Sequence, residues 1–292
     1  MNKVICFGEV LWDVFPKGKY LGGAPFNVAR QMLQYGFDCQ LISAIGNDDL
    51  GKDLLRSFEA INFSSESIQQ HENLASGTVI VKLDKSGSAT YDISKPVAWD
   101  AIEMNAKTEN LVVESEVFIF GSLAARSSIS RSTLLSLLKL AKFKVFDANL
   151  RAPHYNLEDL RLFMSQSNLI KLNDEELVLL TSNSDPSLTV EQRIMNLYNI
   201  YQPEYIAVTL GDQGAILYCN ATYFRNSGYT VQIKDTVGAG DAFLAMLVSE
   251  LKMEAKPQSA LDRSCAVGAL VASKAGANPK ISKEDIAAIL RT

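Results

Sequence analysis

The sequence is poor in the residues that mark several common chemistries. Its four cysteines, Cys6, Cys39, Cys219 and Cys265, are scattered, and none forms a C-x-x-C pair. That spacing makes no disulfide framework and reads as reduced, mostly buried thiols. The two histidines, His71 and His154, lie far apart, so the paired Cys/His spacing of a zinc site is missing. Both read as surface or packing residues. No apolar run approaches the roughly 18 residues of a membrane span. The opening MNKVICFGEV has only a short apolar run before Glu9, a strand pattern and not a signal peptide. No block of like charge stands out among 28 Lys+Arg and 33 Asp+Glu, net −5. This argues against a broad footprint for nucleic acid. A small anion is still allowed, because a few backbone amides can hold a phosphate without net positive charge. The expectation is a cytoplasmic protein with no nucleic-acid partner and no membrane partner.

What is present is ample material for a large core: 292 residues, 47% hydrophobic. That length suits about two domains or one large α/β unit, and a small second lobe satisfies both readings. Short apolar runs alternate with helical patterns along most of the chain. KVICFG, CQLISAIG, EVFIFG, KVFDAN, NLIKLN and EYIAVTLG read as strands. Helices are expected over 25–35, after a cap at Asn47 or Asp48, over 130–142, 157–166 and 174–180, before residue 204, over 238–251 and 258–275, and after Ser282. Leu134, Leu135, Leu137, Leu138 and Leu140 read as core of the 130–142 helix. The pattern breaks at 11–21, at 78–93 and at 215–225, which read as hairpins. The first two could form a small sheet outside the main unit. Strand–helix alternation implies an α/β fold with a mostly parallel sheet and helices on both faces. Ligands then bind at the carboxyl ends of the strands. Those ends are Gly8-Glu9, Gly121-Ser122, 147–151, 173–176 and 209–211.

Two motifs fall at helix starts. In DTVGAGDAF, Gly238, Ala239 and Gly240 leave backbone N–H groups unobstructed, and with the helix dipole they make an anion hole. Asp241 then sits in the first turn, placed to take a proton from a hydroxyl that attacks a phosphorus held there. Taken alone, GAGD reads equally as a tight helix start with a favourable acid. It is neither a P-loop, since no Lys-Ser/Thr follows, nor a dinucleotide fingerprint, since Phe243 replaces the third glycine. In GGAPFNVA, Gly22 and Gly23 allow close backbone approach, and Asn27 offers a donor and an acceptor suited to sugar hydroxyls. A glycine-rich connection explains it as well.

Together these segments resemble the ribokinase-like (PfkB) family of carbohydrate kinases. GGAPFNVARQMLQYG, with Gly36 and Gly46 at family spacing, is similar to the N-terminal signature; DTVGAGDAF is similar to the C-terminal one. FDANLR, KLNDEE and VTLGDQGA fall in family order, so the likeness spans essentially the whole chain. Met246, where the signature has Ala or Gly, departs from it in the helix body, where a packing adjustment is expected. GEVLWDVFP, Y-x-I…VAWD and D-x-NLR look most like the fructokinase branch, and Leu11 differs from the Asn usual in ribokinase proper. The resemblance implies a three-layer αβα domain over 1–292, with a β lid from about 12–22 and 76–100. It implies transfer of the γ-phosphate of ATP to a sugar hydroxyl, fructose first, with ribose, a keto-sugar acid or a nucleoside as alternatives.

The resemblance also assigns roles. Asp241 is the base, and Gly238, Ala239 and Gly240 hold the transferred phosphoryl. Asp13, Gly22, Gly23 and Asn27 hold the sugar. Asn173, Thr209 and Gly211 face the nucleotide. Arg151 reaches a phosphate or substrate anion, or forms a structural pair with Asp147. Glu176 acts on Mg²⁺ through water. Asp235 and the Val237 carbonyl match a K⁺ site that part of the family has. Tyr91 and Trp99 belong to the lid, where they could close over the sugar, pack the hairpin or meet a second copy. Exposed hairpin edges suit a homodimer. Two rivals come from other classes. A non-catalytic sugar or nucleotide sensor is opposed by the intact 238–241 and 173–176 segments. A nicotinamide-dependent enzyme is opposed by the missing glycine fingerprint.

Overall fold

The computed structural model describes residues 3–16, 18–83, 89–182 and 185–291, and over 81–83 and 89–91 the backbone alone. In chain order the elements are β1 (Lys3–Phe7), β2 (Leu11–Phe15), β3 (Gly18–Gly22), α1 (Ala24–Gln34), β4 (Asp38–Gly46), α2 (Asp49–Ala60), β5 (Ile68–His71), β6 (Gly77–Leu83) and β7 (Ala89–Ile93). Next come α3 (Ala106–Glu114), β8 (Val117–Gly121), α4 (Ser128–Leu138), β9 (Lys144–Asp147), α5 (Leu157–Gln166), β10 (Leu169–Asn173), α6 (Asp174–Leu180), α7 (Val190–Tyr201) and β11 (Tyr205–Thr209). The last are β12 (Ala215–Cys219), β13 (Thr222–Asn226), α8 (Ala239–Lys252), α9 (Pro257–Ala272) and α10 (Lys283–Ile289).

Nine strands form one sheet in the order β13-β12-β11-β10-β9-β8-β1-β4-β5. All neighbours from β5 to β11 are parallel; β12 alone runs against the rest, pairing antiparallel with both β11 and β13. The central strands are buried on both faces, which is why they read as continuous apolar runs and not as alternating ones. Ile5 and Phe7 of β1 face one core, shared with Leu134, Leu137 and Leu138 of α4, Phe163 of α5 and Leu197 of α7. Val4 and Cys6 face the other, shared with Phe26 and Met32 of α1, Phe58 of α2, Leu244 and Leu247 of α8 and Leu261 of α9. The result is three layers. Among the described residues no helix is long and apolar enough to cross a membrane. All four cysteines are free and buried.

Local chemistry sets the helix ends. Asp48 caps α2 by accepting from the Gly51 N–H at 2.7 Å, and Ser282 and Asp285 form a reciprocal capping box on α10. Met246 is buried in α8 against Ala242, Ala266 and Val267, a packing role. α4 starts two residues earlier than expected and ends at Leu138, because the chain must turn before entering β9. Leu140 lies beyond the helix yet still packs on the core. Two elements had no clear signal. β5, IQQH, is a polar edge strand, and α3 is short, with its apolar residues bunched at 111–113.

A second sheet, β3-β2-β6-β7, stands apart. β2 pairs antiparallel with β3 and parallel with β6, which pairs antiparallel with β7. Residues 84–88 of the hairpin expected over 78–93, and the Tyr91 side chain, lie outside the described residues. The expected C-terminal limit of this lobe, near residue 100, needs correction to Ile93. Trp99 is 0% exposed, in the main core, in a 3₁₀ turn over Ala98–Ala101. The Arg126 guanidinium lies 3.9 Å from its ring centre. It is a core residue and is not available to close over a ligand.

Candidate active site

The carboxyl ends of β1, β8, β9, β10 and β11 converge beneath the N-terminus of α8. Gly238 is the N-cap of α8 with φ 80°. A Cβ there would fall 2.3 Å from the Ala277 carbonyl oxygen, so the turn requires glycine. Asp241 lies in the first turn. Its Oδ2 accepts from Asn27 Nδ2 at 2.7 Å. Asn27, 4% exposed on α1, accepts in turn from Asn278 Nδ2 at 2.6 Å. Two of its four hydrogen-bonding positions are thus committed, one of them to orienting the Asp241 carboxylate. Burial and the nearby Asp147 charge push Asp241 up to about 6, against the opposing pull of Asn27, Lys171 and Arg151.

Asp13 projects from β2, where a Cβ on Gly22 would fall 2.1 Å from its Oδ2. Gly22 therefore makes room for this carboxylate. Gly23, with φ 107°, lies against the Glu9 carbonyl, which a Cβ would meet at 2.4 Å. Burial, then the charges of Asp241 and Asp235, raise Asp13 to about 6, while Arg151 works the other way. Arg151 is exposed, and its Nη1 donates to the Leu150 carbonyl oxygen. It does not pair with Asp147. That carboxylate instead accepts from Lys171 Nζ at 2.9 Å.

Three buried groups gather at this site; Glu9 and Asp147 were expected only as strand-end residues, and Lys171 was not singled out from sequence. Lys171 of β10 and Asp147 of β9 are register neighbours, 6% and 5% exposed. Burial works against the Lys171 charge, but Asp147, Glu176 and Asp241 outweigh it and raise its pKa. A Cβ on Gly240 would lie 3.4 Å from Lys171 Nζ, so this ammonium sits under the α8 turn. The third group is Glu9, buried after β1 and raised to about 7 chiefly by burial. A lysine inside the apolar run LIKLN was the available signal, since buried lysines need a partner.

Glu176 is buried on α6. Its Oε1 accepts from the Leu150 N–H and its Oε2 from the Asn173 N–H, at 2.7 and 2.8 Å. Burial raises its pKa, and Lys171 opposes the shift. Asn173 caps α6 through Glu176 N. Asp235 accepts from the N–H groups of Val237 and Gly276, which ties the turn before Gly238 to the loop after α9. No cluster of three or more His, Cys, Asp or Glu that could hold a metal occurs among the described residues.

Beside the α8 turn opens a cleft of about 740 Å³. Asn173, Thr209, Gly211, Ala239, Gly240 and Gly268 line it. Asp174, Glu175 and Asp212 are on its walls, with no lysine or arginine. This volume is in the range that takes a small-molecule ligand or cofactor. Thr209 and Gly211 thus share this cleft with Asn173 and the start of α8, while Asp13, Asn27 and Asp241 do not line it.

The model of the pfkB family carbohydrate kinases matches residues 1–284. Probable fructokinase-7 of Arabidopsis thaliana is 28% identical over 313 residues, spanning 97% of this chain and 90% of its own. A sugar kinase of Pyrococcus horikoshii is 31% identical over 248 residues, 84% of this chain and 77% of that one. A crystal structure of an uncharacterised sugar kinase from P. horikoshii in complex with ATP superposes with a TM-score of 0.83 at 26% identity, covering 98% of this chain and 99% of that one. By sequence, by fold and by what gathers at the end of its sheet, the chain belongs to the pfkB family of carbohydrate kinases.

Proposed function

We propose that this sugar kinase transfers the γ-phosphoryl of ATP to a hydroxyl of fructose, with Asp241 as the base. The observation that carries the reading is the contact from Asn27 to Asp241, 2.7 Å, at the mouth of the Gly238–Gly240 turn. It fixes one carboxylate beside the first N–H groups of α8, of which Ala239 N already donates to the Thr236 carbonyl oxygen at 3.2 Å. A hydroxyl between them would lose its proton to Asp241 as it attacks, and the N–H groups would meet the phosphoryl oxygens.

Asp13, with the room given by Gly22, suits two sugar hydroxyls. The 740 Å³ cleft suits the nucleotide, in keeping with ATP bound to the P. horikoshii relative. The small β sheet carries Asp13 and would act as the lid over the sugar, excluding water. The cleft walls hold three carboxylates and no cationic side chain, so a polyphosphate there needs a cation. The oxygen donors at 174–176 are the ligand type that Mg²⁺ takes, commonly through its waters. Glu176 would hold it in that way, and the ion would neutralise phosphate charge. Asp235 and the Val237 carbonyl are where K⁺ would add to the turn before α8. Fructose is supported by the fructokinase-named relative. One observation favours a sugar acid instead: Arg151, without a carboxylate hydrogen bond, acts electrostatically on both Asp13 and Asp241.

A coupled ADP-release assay with ATP and Mg²⁺ tests this across fructose, ribose, tagatose, glucose, 2-keto-3-deoxygluconate and adenosine, each with and without K⁺. Fructose should turn over best, and Asp241→Asn should lower its turnover roughly 10²–10⁴-fold. Preference for the sugar acid would replace the substrate and keep the base. Sugar binding without ADP release in the folded protein would overturn the catalytic reading.

A further inference from the structure

The loop between α9 and α10 meets the start of α8 and of α1 at three consecutive residues. Gly276 N donates to Asp235 Oδ2 at 3.1 Å. The Ala277 carbonyl oxygen lies where a Cβ on Gly238 would come within 2.3 Å of it. Asn278 Nδ2 donates to Asn27 Oδ1 at 2.6 Å, across 251 residues of sequence. The first two contacts seat the backbone against the turn that leads into α8. The third sends a side chain through to Asn27.

Two amides in series then reach the carboxylate, Asn278 to Asn27 and Asn27 to Asp241. Their direction follows from the chemistry of the groups. An ionised carboxylate only accepts, so the Asn27 nitrogen must face Asp241 and its oxygen must face away. Asn27 is 4% exposed, and a buried oxygen needs a donor. Asn278 supplies that donor.

The cost falls at the far end of the chain. Asn278 Oδ1 is closed off from solvent and has no hydrogen-bond partner among the described residues. An unpaired buried acceptor is destabilising. Leucine would fill a similar volume without that cost, so stability does not explain an asparagine here.

Charge reaches Asp241 from other elements. Burial is the largest influence on it, then Asp147 of β9; Asn27, Lys171 of β10 and Arg151 of the loop after β9 oppose them. Glu9, just after β1, and Asp13 of β2 feel its charge in turn. From α1 and the loop after α9 the approach is through amides, Asn27 directly and Asn278 behind it.

We propose that Asn278 is a positioning residue for phosphoryl transfer: it supplies the donor that Asn27 Oδ1 needs whenever the Asn27 nitrogen faces Asp241. This rests on Asp241 as the base. Asn278 touches neither substrate nor the carboxylate and acts only through Asn27.

A double-mutant cycle tests that route. Asn278→Leu should fold with little change in Tm, since it trades one unpaired oxygen for another. With the sugar that turns over best, it should lower kcat/KM about tenfold and move the acidic limb in the direction of Asn27→Ala. In the Asn27→Ala background the same change should add less than about a twofold loss and no further shift of the limb. Asn278→Ala carries the same expectation should Asn278→Leu not fold. A structural role for the loop would lower activity in both backgrounds alike, and that result, or no effect of the single variant, overturns the proposal.

A readout without turnover separates this from the role of the base. In the wild type the Asn278 side-chain amide, followed by ¹⁵N NMR, should titrate with Asp241 near pH 6, and the response should vanish in Asn27→Ala. No response in the wild type, or one that survives in Asn27→Ala, overturns the positioning. A response that vanishes in Asn27→Ala, with a kinetic limb at another pH, keeps the positioning of the carboxylate and overturns Asp241 as the base.

Discussion

Asn27 Nδ2 donates to Asp241 Oδ2 at 2.7 Å across 214 residues of sequence. The bond joins the first turn of α1 to the first turn of α8. It does two things at once: it fixes the direction of the carboxylate, and it favours the ionised form against the burial that raises its pKa.

The bond gives a pH signature. In its proposed role Asp241 must be ionised to accept a proton, and burial lifts its pKa to about 6. In the wild type kcat/KM should therefore fall as pH drops through that value. Asn27→Ala removes a bond that holds the pKa down, so the acidic limb should move to higher pH. Loss of orientation should also lower kcat about 10²-fold. A limb that stays in place in Asn27→Ala would show that the bond does not govern the base.

Stability should answer with the opposite sign. Asp241 is raised from 3.8 in the unfolded range to about 6 when folded. The folded state thus binds more protons between those values, and the stability gained from the protonated form is full below about pH 4 and lost as pH rises through 6. Asp241→Asn keeps the shape without the charge. At pH 8 its Tm should exceed that of wild type by about 2–4 °C, and the gap should close near pH 4. Turnover should fall roughly 10²–10⁴-fold at every pH. Calorimetric scans at the two pH values decide it.

The layered sheet and the two glycine turns were legible because both are local signals. Continuous apolar runs such as VFIFG mark doubly covered strands, and a glycine with φ 80° at 238 marks a turn no other residue fits. The charged floor of the site was not legible. Lys171 meets Asp147 only because β9 and β10 are neighbours in register, a pairing no local pattern encodes. Asn27 read as a sugar ligand by its residue type, while its burial against Asp241 and Asn278 depends on how α1 and α8 pack. Trp99 failed for a similar reason: it follows the lid hairpin in sequence, yet its size drew it into the core beneath Arg126.

Two glycines should separate the two halves of the site. A methyl on Gly22 would collide with Asp13 Oδ2 at 2.1 Å, whereas one on Gly240 meets Lys171 Nζ at an ordinary 3.4 Å. Gly22→Ala should displace Asp13 and raise KM for the sugar about tenfold or more, with KM for ATP little changed. Gly240→Ala should fold as well as wild type, since alanine suits a helix start better than glycine, and should raise KM for ATP alone. Steady-state kinetics with each substrate varied in turn would show the split, and equal effects on both KM values in either variant would refute this division.

The Lys171–Asp147 pair tests whether the floor is held by charge or by shape. Both side chains are at least nine-tenths buried, and Nζ lies 2.9 Å from Oδ1. Removing one partner leaves the other uncompensated in a poorly solvated place, at a cost of about 3–5 kcal/mol. Lys171→Met is worse placed than most such changes, because it strands Asp147 beside Glu176 and Asp241 with their nearest buried cation gone. Replacing both partners with apolar residues removes the stranded charge as well. The double variant Lys171→Met/Asp147→Leu should therefore recover most of the stability lost in Lys171→Met, as read from urea midpoints at pH 7.5. It should not recover turnover, because the ammonium that sits 3.4 Å from a Cβ on Gly240 no longer offsets phosphoryl charge under the α8 turn. Recovery of both would mean that the pair serves folding alone; recovery of neither would mean that its shape, and not its charge balance, holds the ends of β9 and β10 in place.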